Sequence, residues 1–524
     1  MAITALLSAA AFAQTVDSRP AFEIADVHVS PNTRNPAMRT VSRVGRYEIR
    51  TATLVDLIAT AWGVEPDKVL GGPGWLEMDR FDVITRPPLN AAPPALRQML
   101  QSLLAERFQL AIHMDQKPTG AFVLSVGNGK PKLKESDASG APGCTRQPAS
   151  EGGAIPATCH GLSMQVFAQQ LRAAAGDYLT SGVIDETNLA GSWDFTLKWT
   201  PRGRLAAAGA DGITIFDAID KQLGLKLEPK QVPSPVIVVD RVNQKPTDNA
   251  PGTAATLPAP PPPHFEVATI KRTDPQFQGV RIQTPPNGAV MIQGVTLSYL
   301  IQTIWFLTPE MIAEAPKWLD TDRWDITAKV AAAPGIPPQT DMDSLIVMVR
   351  TLLEDRFQLK THTEERVVPA YTLAAAKPKL RKGDPADRTG CKEGPGADGR
   401  DPRITNPALS RLVACRNMTM DQFAAQLPRI ANALNPLNGP IRSTVLNATG
   451  LDGTYDFTLS FSPGQFFSPG GTPAPPIADG PSDPNGLVSL PEAIGRQLGL
   501  RLALEKRPAT VLVIDHIEEK PADN

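Results

Sequence analysis

The chain has 524 residues, with 52 Lys and Arg against 54 Asp and Glu, for a formal net charge of −2. That balance excludes a dedicated nucleic-acid binder, which carries a strongly basic domain, and a polybasic membrane-surface protein. With 42% apolar residues the chain can pack real cores, and its 52 prolines, about twice the usual share, belong largely in loops and linkers.

Residues Ile3 to Phe12 form a short apolar run, and Ala11-Phe12-Ala13 closes it with an A-x-A pattern. Residues 1–13 thus read as a secretory signal peptide, although no Lys or Arg precedes the run. The run is too short to span a bilayer, and no later segment has 18 uninterrupted apolar residues, so no membrane span is expected. The four cysteines include no C-x-x-C pair and lie in polar, Gly/Pro-rich loops. Spacing pairs Cys144 with Cys159 and Cys391 with Cys415 as disulfides of an exported protein, periplasmic or secreted.

The chain repeats itself. Phe22-Glu23-Ile24-Ala25 recurs as Phe265-Glu266-Val267-Ala268, and GGPGWLEMDRFDV (71–83) as AEAPKWLDTDRWDI (313–326). LLAERFQLAIH, ending at His113, matches LLEDRFQLKTH, ending at His362. GSWDFTLKWTP, ending at Pro201, matches GTYDFTLSFSP, ending at Pro463; KQLGLKLE (221–228) matches RQLGLRLA (496–503), and VIVVD matches VLVID. Both copies then run into Lys-Pro, at Lys245-Pro246 and Lys520-Pro521. A tandem duplication is therefore expected, with copy one at 20–243, a Pro-rich linker at 244–263 and copy two at 264–524. The Pro run in the linker favours an extended, semi-rigid spacer.

Each copy divides into two related units, about 22–127 and 159–243, then 265–376 and 415–518. A Ser or Thr suited to an N-cap opens each one: Thr53, Ser163, Thr296 and Thr419, the last with Gln422 at capping-box spacing. An aromatic-Asp-apolar strand follows, carrying Asp82, Asp194, Asp325 or Asp456. Leu96, Met99, Leu100, Leu103, Leu104 and Phe108 share one face of a second helix, and Leu345 to Phe357 repeat that spacing. A strand pair broken by a Pro-containing turn closes each unit. The expected fold class is α+β: a tandem duplication, each copy made of two small related units of helix, strands, helix and closing hairpin.

These elements, in this order, resemble a secreted family described only as a domain of unknown function. It is expanded in soil bacteria and is also found fused behind membrane metallopeptidases of the beta-lactam-sensor type. The resemblance covers both copies. It implies export and assigns no activity, cofactor or catalytic residue. The order of helix, strand, QLGL helix and terminal strand (Ala218 to Leu225 and Ala493 to Leu500) also resembles the short N-terminal domains of secretins and TonB-dependent receptors, which are periplasmic interaction modules.

Chemistry is sparse. No H-E-x-x-H, G-x-S-x-G, P-loop or dinucleotide fingerprint occurs, so no metal, cofactor or catalytic residue is assigned. His113 and His362 occupy equivalent positions and read as surface or core-edge residues. Arg107 and Arg356 suit the negative end of a helix. Asp is disfavoured in strands, so one in every unit requires a cause. One reading is paired carboxylates for a glycan-acting envelope hydrolase, with Asp82 and Asp325 foremost; the other is one local structural task per unit. Trp62 continues an apolar helix face and reads as core, whereas Trp75 and Trp318 sit in loops, where ligand stacking and plain packing are equally open.

The leading functional expectation is a non-enzymatic binding or interaction module of the cell envelope. Its partner would be an envelope protein or a small ligand, with no nucleic acid involved. The alternatives are the hydrolase and a small-molecule sensor domain.

Overall fold

The computed structural model describes residues 20–522 apart from 32–36, 44, 138–139, 149–152, 258–262, 286, 332–341, 397–399, 404, 407, 433–440, 442 and 463–485. The expected signal peptide and residues 258–262 of the expected linker lie outside the described residues. Copy one runs β1 (Ile24–Val29), β2 (Arg39–Arg43), β3 (Arg46–Thr53), α1 (Leu54–Trp62), β4 (Val69–Gly71), β5 (Arg80–Arg86), α2 (Pro93–Arg107) and β6 (Ala111–Val126). It continues through β7 (Lys134–Glu135), β8 (Gly143–Arg146), β9 (Ile155–Leu162), α3 (Met164–Ala174), β10 (Val183–Asp185), β11 (Trp193–Trp199) and β12 (Leu225–Arg241). Copy two repeats the order with β13 (Phe265–Arg272), β14 (Arg281–Gln283), β15 (Ala289–Thr296), β16 (Ile312–Ala313), β17 (Arg323–Val330) and β18 (Lys360–Ala375). Its second half adds β19 (Arg381–Lys382), β20 (Gly390–Glu393), β21 (Arg411–Met418), β22 (Leu446–Ala448), β23 (Tyr455–Phe461) and β24 (Leu500–His516). The chain is an α+β tandem duplication.

Each copy builds sheets of four strands, ordered β1-β5-β3-β2, β10-β6-β12-β4 and β7-β11-β9-β8 in the first, with the same pattern in the second. The middle sheet ties the two units of a copy together. β6 and β12 pair antiparallel along their whole length, from Leu225 opposite Val126 to Arg241 opposite Ala111. One end of this ribbon sends Ile237 and Val239 into the first unit's core with Leu57, Phe81, Leu104 and Phe108. The other end sends Phe122, Leu124, Leu225 and Leu227 into the second unit's core with Phe167, Phe195 and Leu223. The two related units therefore share one closing strand pair.

The expected Pro-containing turn is absent from this ribbon. Pro118 and Pro233 face each other inside unbroken strands of 16 and 17 residues. Between β10 at one end and β4 at the other, the ribbon is only two strands wide. A proline there whose missing N–H would point to the open side removes no ladder bond.

Local chemistry explains how strand gives way to helix. The Thr53 side chain accepts the Asp56 N–H, while Asp56 accepts the Thr53 N–H at 2.9 Å, a reciprocal cap that starts α1. Thr419 and Gln422 form the same box at 2.9 and 3.2 Å. Ser163 and Thr296 cap their helices with one bond each. Edge-on ring pairs then lock helix to sheet: Phe81 on Phe108, Trp324 on Phe357, Phe167 on Phe195 and Phe423 on Phe457, at 4.7 to 5.3 Å.

Two disulfides pin neighbouring strands, Cys144 to Cys159 and Cys391 to Cys415, where each pair sits directly opposite across its ladder. The expected extended spacer is partly folded: Thr253–Thr256 forms a helical turn against β1, and Thr253 and Leu257 are buried. A leucine that can bury its side chain against an existing sheet outweighs the preference of nearby prolines for an open chain.

Candidate functional site

The four repeated aspartates perform one shared local task. Asp82, Asp194, Asp325 and Asp456 accept the backbone N–H of Thr51, Gly161, Gly294 and Asn417 at 2.8, 2.9, 3.0 and 2.9 Å. All four donors have positive φ, between 49 and 69°. Each lies at a break in strand register just before a helix cap. The carboxylate thus fixes a β-bulge that swings the strand into its helix.

The remaining oxygen capacity is largely taken up nearby. Asp82, only 3% exposed, also accepts Ser30 Oγ at 2.6 Å and Arg50 Nη1 at 3.2 Å, with His28 Nε2 3.8 Å away. Asp194 pairs with His160 Nδ1 at 2.8 Å. Asp325 accepts Thr273 Oγ1 at 2.8 Å, and Asp456 accepts Arg381 Nη2 at 2.9 Å. The Gly161 N–H is the leading influence that holds the Asp194 carboxyl below the usual carboxylate range. Asp82 and Asp325 are therefore each bonded within their own units.

Trp75 and Trp318, expected in loops, lie in the short helical turns Gly74–Glu77 and Trp318–Thr321 and are half-buried. Trp75 packs against the first core beside Leu76, and Trp318 packs against the third beside Leu319. Trp62 is likewise partly buried against its core. His113 and His362 each point Nδ1 at an aspartate, Asp240 and Asp515, at 2.8 Å in both copies. Asp240 and Asp515 sit at register shifts of the long ribbons, so these exposed pairs also brace bulges. Arg107 does more than face a helix end. It donates to Asn249 Oδ1 at 2.7 Å, to Thr247 Oγ1 at 3.0 Å and to Ala25 O at 3.4 Å, binding β1 to the segment that leaves β12. Among the described residues no group of three or more His, Cys, Asp or Glu side chains is placed to hold a metal ion.

What sequence reasoning missed is the contact between the copies. Arg388, beside the Cys391 disulfide, donates to Gly71 O at 2.7 Å, Val69 O at 2.9 Å and Glu77 Oε1 at 3.2 Å in copy one. Its side chain is 9% exposed. The Thr389 N–H reaches Gly74 O at 3.1 Å, Lys392 reaches Glu77 at 3.0 Å, and Met78 packs on the fourth core. GGPGW is therefore the receptor turn for a loop of copy two. Cavities of about 190 and 270 Å³ adjoin Glu77 and Lys392, and Arg388 lines the larger.

The smaller cavity is lined by Thr53, Asp56, Glu77, Arg80, Lys392, Gln426 and Arg429, among others. Its acids are occupied: Asp56 caps α1, and Glu77 holds Arg388 and Lys392. Arg80 is spent in part on Thr51 O at 2.6 Å. Arg429 donates to Gln426 Oε1 at 2.7 Å and stays exposed to the cleft. Neighbouring protein shields Arg429 in part, and the Arg80 and Arg411 cations repel it, so its pKa is pushed below the ordinary arginine value. No periodic pattern marks this site, because it is assembled from loops and helix ends of both copies.

Neither a curated protein nor a solved structure matches the chain. A family model does, twice, over residues 55–242 and 298–517, which together exceed half of the length. The chain therefore belongs to the family described as Protein of unknown function (DUF3738), which it carries as a tandem pair.

Proposed function

We infer that the protein is an exported, non-enzymatic binding module of the cell envelope, and that the cleft between its copies holds a small anionic ligand. The observation that carries this reading is a 190 Å³ cavity lined by Arg80, Lys392 and Arg429, whose two acids, Asp56 and Glu77, already hold partners in the protein. A cation next to like charge is relieved by an anion, and two arginines with an ammonium suit a carboxylate or phosphate. The hydrolase reading loses ground because Asp82 and Asp325 are each held inside a bulge of their own unit. Export is supported by the two disulfides. Among the described residues no helix is long and apolar enough to cross a membrane. The resemblance to domains fused behind beta-lactam-sensor-type metallopeptidases is in keeping with ligand sensing.

The test is calorimetric titration of the full chain with inorganic phosphate and, separately, succinate. One saturable site, weakened at least about tenfold in Arg429→Gln, is expected, since a tenfold loss is about 1.4 kcal/mol. Absence of binding by both probes at about 10 mM would remove the anionic reading.

A further inference from the structure

The two walls of the 190 Å³ cavity belong to different copies. Thr53, Asp56 and Arg80 come from copy one, whereas Lys392, Gln426 and Arg429 come from copy two, the last two on helix Met420–Asn432. Arg80 is one of the two cations that repel Arg429, so the walls set like charges against each other across the joint. An anion held between the two guanidinium groups turns that repulsion into a pair of attractions.

The joint around the cavity is polar. Arg388 bonds Gly71 O, Val69 O and Glu77, the Thr389 N–H bonds Gly74 O at 3.1 Å, and Lys392 reaches Glu77. Elsewhere Arg39 of copy one meets Asp343 of copy two at 2.8 Å, a partly exposed pair. Among the described residues each of the four apolar cores is built within one copy, and Met78 is the side chain that packs across. The helices and strands of one copy make only sparse contact with those of the other. Two bodies with their own cores and a polar joint are expected to part and rejoin.

We propose, resting on the anion-binding reading of this cavity, that the anion acts as a clasp: it binds the joined copies and not the parted ones, and so shifts the chain towards the joined state. Neither wall makes the site alone. Parting the copies leaves Arg80 on one body and Lys392 and Arg429 on the other. It also returns water to both walls, which removes the electrostatic reason for binding. A ligand that needs both walls multiplies the ratio of joined to parted chains by 1 + [L]/Kd, about elevenfold at ten times Kd. By reciprocity, anything that loosens the joint weakens the anion.

Thr389 supplies the reporter, because its N–H is bonded across the joint and is released when the copies part. Amide exchange of the full chain is followed by NMR with and without inorganic phosphate, at about ten times the Kd that calorimetry gives. Exchange at Thr389 should slow about tenfold, while the Glu518 amide, bonded to Phe357 O within copy two, keeps its rate. In Arg429→Gln the same phosphate concentration should leave Thr389 unaffected. Small-angle scattering supplies a second reading: phosphate should draw an opened Arg388→Ala chain back towards the native radius of gyration, and the Arg388→Ala/Arg429→Gln chain should stay open. Unchanged Thr389 exchange in a chain that calorimetry shows to bind phosphate overturns the clasp and leaves the anion site standing. An Arg388→Ala chain that binds phosphate yet remains extended does the same. Absence of calorimetric binding removes the anion site itself, and the clasp with it.

Discussion

Asp82 accepts the Thr51 N–H at 2.8 Å, and Thr51 holds φ at 53°, a region that β-branched residues rarely occupy. The bond compensates a backbone conformation that costs roughly 1–2 kcal/mol for a residue with a Cβ. It also sets the direction in which β3 enters α1, two residues later. Because the carboxylate is buried and accepts from Ser30 and Arg50 as well, Asp82→Ala is expected to lower unfolding stability by about 2–4 kcal/mol. Asp82→Asn retains one acceptor oxygen and should cost less. Urea unfolding followed by tryptophan fluorescence checks the order Ala, then Asn, then native. Equal stability of all three would show that the bulge holds itself.

The QLGL motif has a similarly local meaning. Gln222 Oε1 accepts the Lys198 N–H at 2.9 Å, and its Nε2 donates to Lys198 O at 2.8 Å; Gln497 repeats the clamp on Ser460 at 2.9 and 2.7 Å. Lys198 and Ser460 lie beyond the reach of β7 and β19, which pair only near the starts of β11 and β23. The glutamine amide therefore stands in for a missing neighbouring strand and covers an edge that would otherwise invite another chain. Gln222→Leu should cost about 1–2 kcal/mol from two lost bonds and raise the tendency to self-associate. Light scattering after mild heating, native against Gln222→Leu, measures the second effect.

These two devices mark what a sequence discloses. Thr53, Thr419 and the Leu96–Phe108 face obey local rules of capping and helical period, so they read directly. The cysteine pairs follow from spacing. Four aspartates at matched positions announce a shared task, though the task itself depends on a positive φ on another strand. The β6–β12 ribbon eluded reading because its prolines carry the same signal as a turn, and only its two-strand width makes them harmless. Arg388 was illegible for a different reason: it acts across more than 300 residues of sequence, on carbonyl oxygens that have no residue-specific signature.

The relationship between the copies is expected to depend on that arginine. Arg388 is nearly enclosed, with three acceptors on copy one. Burial lowers its pKa and Glu77 opposes that shift. Removing the guanidinium leaves Val69 O, Gly71 O and Glu77 without this donor. Arg388→Ala should weaken the contact by about 2–4 kcal/mol while each copy stays folded. Small-angle scattering reads the change as an increased radius of gyration, with an unchanged far-ultraviolet circular dichroism spectrum. Arg388→Lys restores one point of charge but not the fork, so partial rescue at most is expected.

Acid stability supplies a separate check on the carboxylates. Burial raises the Glu48 pKa, but hydrogen bonds and charge from Arg46 and Arg50 outweigh it, and the net shift is downward. Asp194 is shifted downward too, first by the Gly161 N–H. A carboxylate whose folded pKa lies below its unfolded value contributes stability above the ordinary range near pH 4, and that contribution disappears as pH falls through the folded value. Stability should therefore hold from neutral pH to about 5 and then decline towards pH 2. In Glu48→Gln the group no longer titrates, so the curve should begin lower at pH 7 and fall less steeply on the acid side. Asp194→Asn should show the same flattening to a smaller degree, because its side chain is more open to solvent than that of Glu48. Thermal melts at closely spaced pH values from 2 to 7 measure the slopes. A Glu48→Gln curve parallel to the native one would mean that the Arg46–Glu48–Arg50 cluster persists in the unfolded chain, leaving no difference in proton uptake for folding to exploit.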